Sequence, residues 1–320
     1  MQTAFVFPGQ GSQYIGMGQS LAENFAEARA IFDQADQALG FPLTQLCFEG
    51  PAEVLQLTEN MQPALLTVSV AAWRVLDAQG IQPDIVAGHS LGEYSALVAA
   101  GSLDFADAVR LVRKRGQYMQ EAVPLGVGAM AALLRLPADK LYAVLADASQ
   151  GETVTAANYN SPDQIVIAGH TGAVTRAVEL AKAAGARKAI LLNVSAPFHC
   201  PLMEPAQQRL KKDLDATEFR DLLVPLVNGW QARLIRIGDE ARRGLYEQVP
   251  NPVRWTQVIQ ELAALGVTRF VEVGAGGVLT GLLRNIGSSL KDDSNWQGDG
   301  LEGSKFGEAE DLEKILEAIA

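Results

Sequence analysis

Apolar positions along the chain follow two alternating rhythms. Thr3–Phe7 is a short unbroken run of β-forming residues closed by Pro8-Gly9, which predicts a strand buried on both faces. Leu21–Leu39 follows with apolar residues at helical spacing. Met61–Ala78 is apolar almost all round, the pattern of a helix at the centre of a molecule. A second short run, Ile85–Ala87, leads through Gly88-His89-Ser90-Leu91-Gly92 into another helical stretch, Glu93–Ala100. Strands alternating with helices predict an α/β fold, a parallel sheet with helices on its faces.

The rhythm changes around Pro124-Leu125-Gly126-Val127-Gly128. From there the pattern predicts strand Ala129–Leu136, helix Ala138–Ala148, strands Thr153–Asn158 and Gln164–Ala168, helix Gly172–Ala184 and strand Ala189–Val194. This βαββαβ order is ferredoxin-like and predicts a small subdomain over residues 126–196 inserted in a larger domain. The larger domain then comprises residues 1–125 and 197–287. Its last strand is Arg269–Val273, followed by Gly274-Ala275-Gly276-Gly277 and a helix through Asn285. Residues 288–320 form an acidic tail. Ser288–Gly307 is polar and predicts a flexible segment, whereas Leu312, Ile315, Leu316 and Ile319 recur at helical spacing and predict a terminal helix.

Composition narrows the partners. The 320 residues allow about two compact units. With Lys+Arg 26 against Asp+Glu 37, the net charge is −11, which argues against a nucleic acid or an anionic membrane held by net charge. No apolar run approaches the ~18 residues of a membrane helix, and no basic stretch precedes the first apolar run, so no signal peptide is expected. Two cysteines, Cys47 and Cys200, are too few for a disulfide framework or a cysteine metal cluster. The expectation is a cytoplasmic protein without a metal site.

The candidate chemistry starts at Ser90. Gly88-His89-Ser90-Leu91-Gly92 matches a G-x-S-x-G nucleophile elbow in its required context, strand before and helix after. The glycines let two backbones close on a strained turn, which holds the hydroxyl at a helix N-terminus where free N–H groups can stabilise an oxyanion. A serine needs a proton acceptor, and the histidines are His89, His170 and His199. His89 adjoins Ser90 and points away from it, while His170 follows a subdomain strand in a turn. His199 comes after Ser195-Ala196-Pro197-Phe198, where the chain re-enters the large domain, and is the expected general base. Glu93 and Asp104 lie too near the elbow in sequence to be placed as a third triad member. A dyad whose imidazole is oriented by a non-acidic group is therefore expected. Cys200 lacks an activating partner of its own and is expected to be inert.

Phe105–Met119 reads as a helix with Phe105, Ala108, Val112 and Met119 on one face, and helical stepping places Arg115 in that apolar stripe. A guanidinium facing inward must find an anion: either a carboxylate of the protein, or a substrate carboxylate held by two parallel hydrogen bonds. Pro8-Gly9-Gln10-Gly11-Ser12-Gln13 fails as a dinucleotide fingerprint because Tyr14 stands where the third glycine belongs. Beside a serine elbow it is better read as the source of a second oxyanion-hole N–H, from Gln10.

Taken together, Phe7-Pro8-Gly9-Gln10-Gly11-Ser12-Gln13, Gly88-His89-Ser90-Leu91-Gly92-Glu93-Tyr94, Arg115-Gly116, Phe198-His199 and Tyr246-Glu247-Gln248 resemble the malonyl-CoA:acyl carrier protein transacylases. These are the malonyl loaders of bacterial fatty-acid synthesis, related to the acyltransferase domains of polyketide synthases. The resemblance covers about residues 1–287 and implies an α/β-hydrolase-like large domain carrying a ferredoxin-like small one. It implies that Ser90 takes malonyl from coenzyme A as an ester, that His199 serves as base and then acid, and that the N–H groups of Gln10 and Leu91 form the oxyanion hole. It further implies that Arg115 binds the malonyl carboxylate, that the Gln248 carbonyl orients His199, and that Asn160 lies at the cleft rim. The acyl group then passes to the phosphopantetheine thiol of an acyl carrier protein. The coenzyme A thioester is substrate, and no permanently bound cofactor is implied. Phe198 matches a bulky residue that crowds a branched C2 and so favours malonyl; Pro197 departs from the alanine common in related polyketide domains.

Two other readings share parts of this pattern. A serine hydrolase or thioesterase uses the same elbow, base and oxyanion hole, and a trans-acting polyketide acyltransferase uses all of the motifs. A non-catalytic carrier-docking module would not need Ser90, His199 and Arg115 together. Because carriers of this class are acidic and this chain is too, docking calls for a local positive surface, with Arg110, Arg113, Lys114, Arg187 and Lys188 as candidates.

Overall fold

A computed structural model describes residues 2–291 and 300–319. Among them the strands are, in chain order, β1 (Gln2–Phe7), β2 (Ile85–Gly88), β3 (Gly128–Leu134), β4 (Val154–Ser161), β5 (Gln164–His170), β6 (Lys188–Leu191), β7 (Leu226–Val227), β8 (Leu234–Ile235), β9 (Val267–Val273) and β10 (Glu302–Phe306). They form a six-stranded sheet in the order β10-β9-β1-β2-β7-β8 and a four-stranded sheet in the order β4-β5-β3-β6.

In the large sheet every neighbouring pair is parallel except the terminal β7–β8 pair. Successive side chains of β1 serve opposite cores. Phe5 and Phe7 pack with the helices Thr58–Ala78 and Phe105–Glu121, whereas Ala4 and Val6 pack with Trp255–Ala264 and Val278–Lys291. A parallel strand covered on both faces needs no polar side, which is why the first two strands read as unbroken apolar runs.

The small sheet is antiparallel throughout. Ala131, Leu133 and Ile167 face the helices Leu141–Ser149 and Thr171–Ala183 in a core of their own. Met130, Ala132, Val166 and Ala168, on the opposite face, join the main core. That face roofs the cavity described below.

Four differences from the pattern have physical reasons. The helical stretch Leu21–Leu39 is two helices, Gln19–Asn24 and Ala26–Leu39, broken by the extended backbone of Phe25; apolar spacing continues across such a break. β7 and β8 are two residues each, too short to show a period. The last helix of the large domain runs past Asn285 to Lys291. The expectation of a flexible segment through Gly307 fails at its end, since Glu302–Phe306 adds a parallel edge strand to β9, and an edge strand tolerates a polar sequence. Residues 292–299 of that expected segment lie outside the described residues. Leu312–Ile319 forms a helix. No helix among the described residues is long and apolar enough to cross a membrane.

Candidate active site

The turn between β2 and the helix Gly92–Ala99 is built by steric necessity. A Cβ on Gly88 would stand 2.0 Å from the Gly92 carbonyl carbon, and one on Gly92 would stand 2.0 Å from the Phe7 carbonyl oxygen. The backbone is thus pressed against both itself and β1. Ser90, between them, is held at φ 53°, a left-handed conformation that costs a non-glycine residue of order 1 kcal/mol or more. His199 is strained likewise, at φ 57°.

Ser90 Oγ lies 2.7 Å from His199 Nε2, and His199 Nδ1 lies 2.9 Å from the Gln248 carbonyl oxygen. A carbonyl only accepts, so Nδ1 carries the hydrogen and Nε2 presents its lone pair to the serine hydroxyl. His199 is 4% exposed. Burial first, and the Arg115 charge second, push its pKa down to about 3, while the hydrogen bond to Gln248 pulls the other way. The resting imidazole is therefore neutral, with the tautomer a general base requires.

Arg115 sits where helical stepping places it, in the buried stripe of Phe105–Glu121 and 2% exposed. Gly116 lets this helix approach Thr58–Ala78 closely, for a Cβ there would meet the Thr58 carbonyl oxygen at 2.6 Å. Arg115 Nη1 donates to Gln62 Oε1 at 2.8 Å, and Nη2 donates to Ser90 Oγ and Gln248 Oε1, both at 3.1 Å. Its carbon lies 5.5 Å from the centre of the Tyr94 ring. None of these acceptors is charged. Burial lowers its pKa, with Tyr94 and Glu93 opposing, but arginine's ordinary value is high enough that the group stays cationic.

A cavity of about 390 Å³ opens over these groups, lined by Gln10, Ser90, Leu91, Arg115, Asn160, Phe198 and His199 among others. Leu91 immediately precedes the helix Gly92–Ala99, whose own first N–H groups are taken, Gly92 donating to the His89 carbonyl, Glu93 to that of Ser90 and Tyr94 to that of Leu91. Met130 and Val166 bring the small sheet to the cavity, and Val278, Leu279 and Leu282 close another side. Apolar walls and converging polar side chains share the lining, as in a site that both holds and orients a ligand.

Gln248 lies behind the cavity rather than in it, fully buried, and joins three groups. Besides His199 and Arg115 it reaches Glu93, its Nε2 donating to Glu93 Oε2 at 2.7 Å. Glu93 Oε2 also accepts from the Gly229 N–H at 2.9 Å. Burial pushes the Glu93 pKa up to about 7, although Gly229, Gln248 and Arg115 all favour the ionised form.

The remaining sequence candidates separate clearly. His89 Nε2 donates to Asn160 Oδ1 at 2.8 Å and the ring packs edge-on against Trp255, so it faces away from Ser90 and steadies Asn160. His170 Nδ1 accepts from the Thr153 N–H in the small subdomain. Asp104 caps the Phe105–Glu121 helix by accepting from the Ala106 N–H. Cys200 is buried, with its pKa pushed up to about 12 by burial, so the thiol is unactivated. Arg110 is paired with Asp107 and Lys114 with Asp213, and Arg113 donates to Asn60. Arg187 and Lys188 are exposed and line a groove that shares Gln164 with the cavity. Sequence reasoning missed Gln62, although a glutamine inside an apolar helix is itself a signal of a buried polar contact.

Comparison with known proteins gives the same picture from another side. A family described as "Acyl transferase domain" matches residues 4–298. The chain is 50% identical to the malonyl CoA-acyl carrier protein transacylase of Bacillus subtilis (strain 168), over 90% of this chain and 91% of that one. It is equally 50% identical to the protein of the same name in Escherichia coli (strain K12), over 90% and 94%. Among solved structures, an acyl carrier protein S-malonyltransferase from Vibrio cholerae superposes with a TM-score of 0.93 at 44% identity, covering 98% of this chain and all of that one. A malonyl-transacylase solved in complex with a type II polyketide synthase acyl-carrier protein superposes equally well, with a TM-score of 0.93 at 42% identity over 99% and 100%.

Proposed function

The chain belongs to the acyl transferase domain family, and from that premise we propose that it transfers malonyl from malonyl-CoA to the phosphopantetheine thiol of an acyl carrier protein, through an ester on Ser90. Ser90 Oγ gives its proton to His199 Nε2 and attacks the thioester carbonyl carbon. The resulting oxyanion is held by the N–H groups of Gln10 and Leu91. The C–S bond breaks, and His199 returns the proton to the departing thiolate of coenzyme A. In the second half the carrier's thiol gives its proton to His199, the sulfur attacks the ester, and Ser90 leaves with the proton restored. No resident cofactor enters either half, and the Gln248 carbonyl holds the imidazole upright throughout.

The observation that carries the reading is Arg115: a buried cation inside the cavity, 3.1 Å from the nucleophile, whose hydrogen-bond partners are all neutral. A malonyl carboxylate supplies the missing anion by a bidentate pair. It also offsets the positive field that depresses His199, so the correct acyl group raises the basicity of the base that must act on it. Phe198 at the cavity wall crowds a branched C2, and Asn160, fixed by His89, offers its amide to the substrate at the rim.

The same reading divides the chain into an α/β-hydrolase-like unit, residues 1–125 with 197–287, and a ferredoxin-like unit, residues 126–196, followed by the segment 288–320. The antiparallel order β4-β5-β3-β6 and the two helices on one face support the second assignment. The setting is cytoplasmic fatty-acid or polyketide synthesis, where malonyl-CoA and carriers meet. Arg187 and Lys188, in the groove that shares Gln164 with the cavity, are the favoured basic surface for the carrier.

Intact-protein mass spectrometry tests the reading. Malonyl-CoA should leave a malonyl adduct on Ser90 that persists until a phosphopantetheinylated carrier is added and then moves to it. Rapid spontaneous loss as free malonate would mean a hydrolase, and no adduct would mean a docking module.

A further inference from the structure

Glu93 is a buried carboxyl beside the site that these transfer steps leave unused. It stands in the first turn of Gly92–Ala99, fully enclosed. The Gln248 side-chain amide lies between it and Arg115, with Nε2 donating to Glu93 at 2.7 Å and Oε1 accepting from Arg115 Nη2 at 3.1 Å. A guanidinium only donates, and Glu93 in its ionised form only accepts. An amide between the two has a single admissible orientation, fixed at both ends. The same Arg115 nitrogen reaches Ser90 Oγ, so the chain Glu93–Gln248–Arg115 ends at the nucleophile.

We propose that Glu93 is a positioning residue for acyl selectivity: acting through the Gln248 amide, it holds Arg115 beside Ser90 while leaving the guanidinium's direct carboxylate place to the substrate. A carboxylate bonded straight to Arg115 would occupy the place that malonyl needs. A buried guanidinium with no counter-charge nearby would be costly to hold in the cavity. A counter-charge one amide away avoids both. The inference rests on reading Arg115 as the partner of the malonyl carboxylate.

The test is the ratio of kcat/KM for malonyl-CoA to that for acetyl-CoA, with a phosphopantetheinylated carrier as acceptor, across four variants. Glu93→Gln presents a donor as well as an acceptor, so the Gln248 amide loses its enforced orientation. The ratio should narrow about tenfold, the factor one misplaced charge-assisted hydrogen bond is worth. Gln248→Leu keeps the backbone carbonyl for His199 but cuts the chain, and should narrow the ratio similarly. In the Glu93→Gln/Gln248→Leu double variant the ratio should fall no further than in Gln248→Leu alone, because the two side chains act as one unit. A merely structural glutamate would lower both substrates together, and an unaltered ratio in Glu93→Gln would overturn the proposal. If Glu93→Gln does not fold, an unaltered ratio in Gln248→Leu overturns it equally. Arg115→Ala separates the levels. A ratio that survives Arg115→Ala overturns the reading of Arg115 and the chain with it. A ratio that narrows in Arg115→Ala but not in Glu93→Gln overturns the chain alone.

Discussion

Replacing Arg115 by alanine removes a cation that in the resting cavity donates to Gln62 Oε1, Gln248 Oε1 and Ser90 Oγ and lies against the Tyr94 ring. These neutral contacts are individually modest. The larger loss appears with malonyl-CoA, whose carboxylate would enter the buried end of the cavity with no cation to meet it. Stranding one member of a buried charge pair costs roughly 2–5 kcal/mol, which at about 1.4 kcal/mol per decade is a fall of about 30-fold to several thousand-fold. Acetyl-CoA brings no carboxylate and forfeits none of this. It gains slightly, because the positive charge that depresses His199 is gone. The malonyl-to-acetyl ratio of kcat/KM should therefore fall by that factor, about 30-fold to several thousand-fold. Coenzyme A release in the presence of phosphopantetheinylated carrier measures both rates, and a thermal melt establishes that the variant is folded. Equal losses for the two substrates would refute the reasoning, since they would mean that Arg115 supports the fold or the serine and does not read the acyl group.

Three further outcomes follow from the same geometry. Histidine NMR titration of Arg115→Ala should show the His199 pKa above its value of about 3 but still below 6.5, because burial, the larger cause, remains; an unmoved pKa would contradict the coupling between the two. Gly88→Ala should abolish acylation and lower stability by at least ~1–3 kcal/mol, since its Cβ would overlap the Gly92 carbonyl carbon; a melt matching the parent protein would contradict the tight elbow. The pH dependence of stability has two opposing parts. As pH falls below 6.5 the unfolded chain protonates His199 while the fold refuses that proton until about pH 3, so stability declines. Glu93, raised from 4.5 to about 7, takes up its proton first in the folded protein, so it adds stability as pH falls from 7 to 4.5. Glu93→Gln removes only the second part, and its denaturant midpoint should drop more steeply over that interval than the parent's; parallel curves would contradict it.

What the sequence made legible was whatever local rules govern. β1 and β2 announce themselves because a strand covered on both faces must be apolar throughout, and Ser90 because only glycine fits on either side of it. Arg115 is visible because a charge in an apolar helical stripe has to be answered by something. His199 follows from having few histidines and a rigid turn before it. The relay behind the cavity was not legible, because Gln62, Glu93 and Gln248 come from three separate helices and meet only after folding. Gln248 was reached through family resemblance, which implied its carbonyl and not its side chain. Glu93 lies too near the elbow in sequence to be placed from the sequence, yet it reaches the site through Gln248, 155 positions away. β10 escaped for the opposite reason, since its polar residues carry no burial signal while its backbone alone makes it a strand.

The measurement that bears most directly on the account is a structure of the protein carrying a malonyl ester on Ser90. Both oxygens of the free carboxylate should lie about 2.7–2.9 Å from Arg115 nitrogens, with Nη2 moved from the serine oxygen to the carboxylate and the ester carbonyl oxygen facing the N–H groups of Gln10 and Leu91. A carboxylate turned to solvent, with Arg115 still bonded to Gln62 and Gln248 alone, would contradict it.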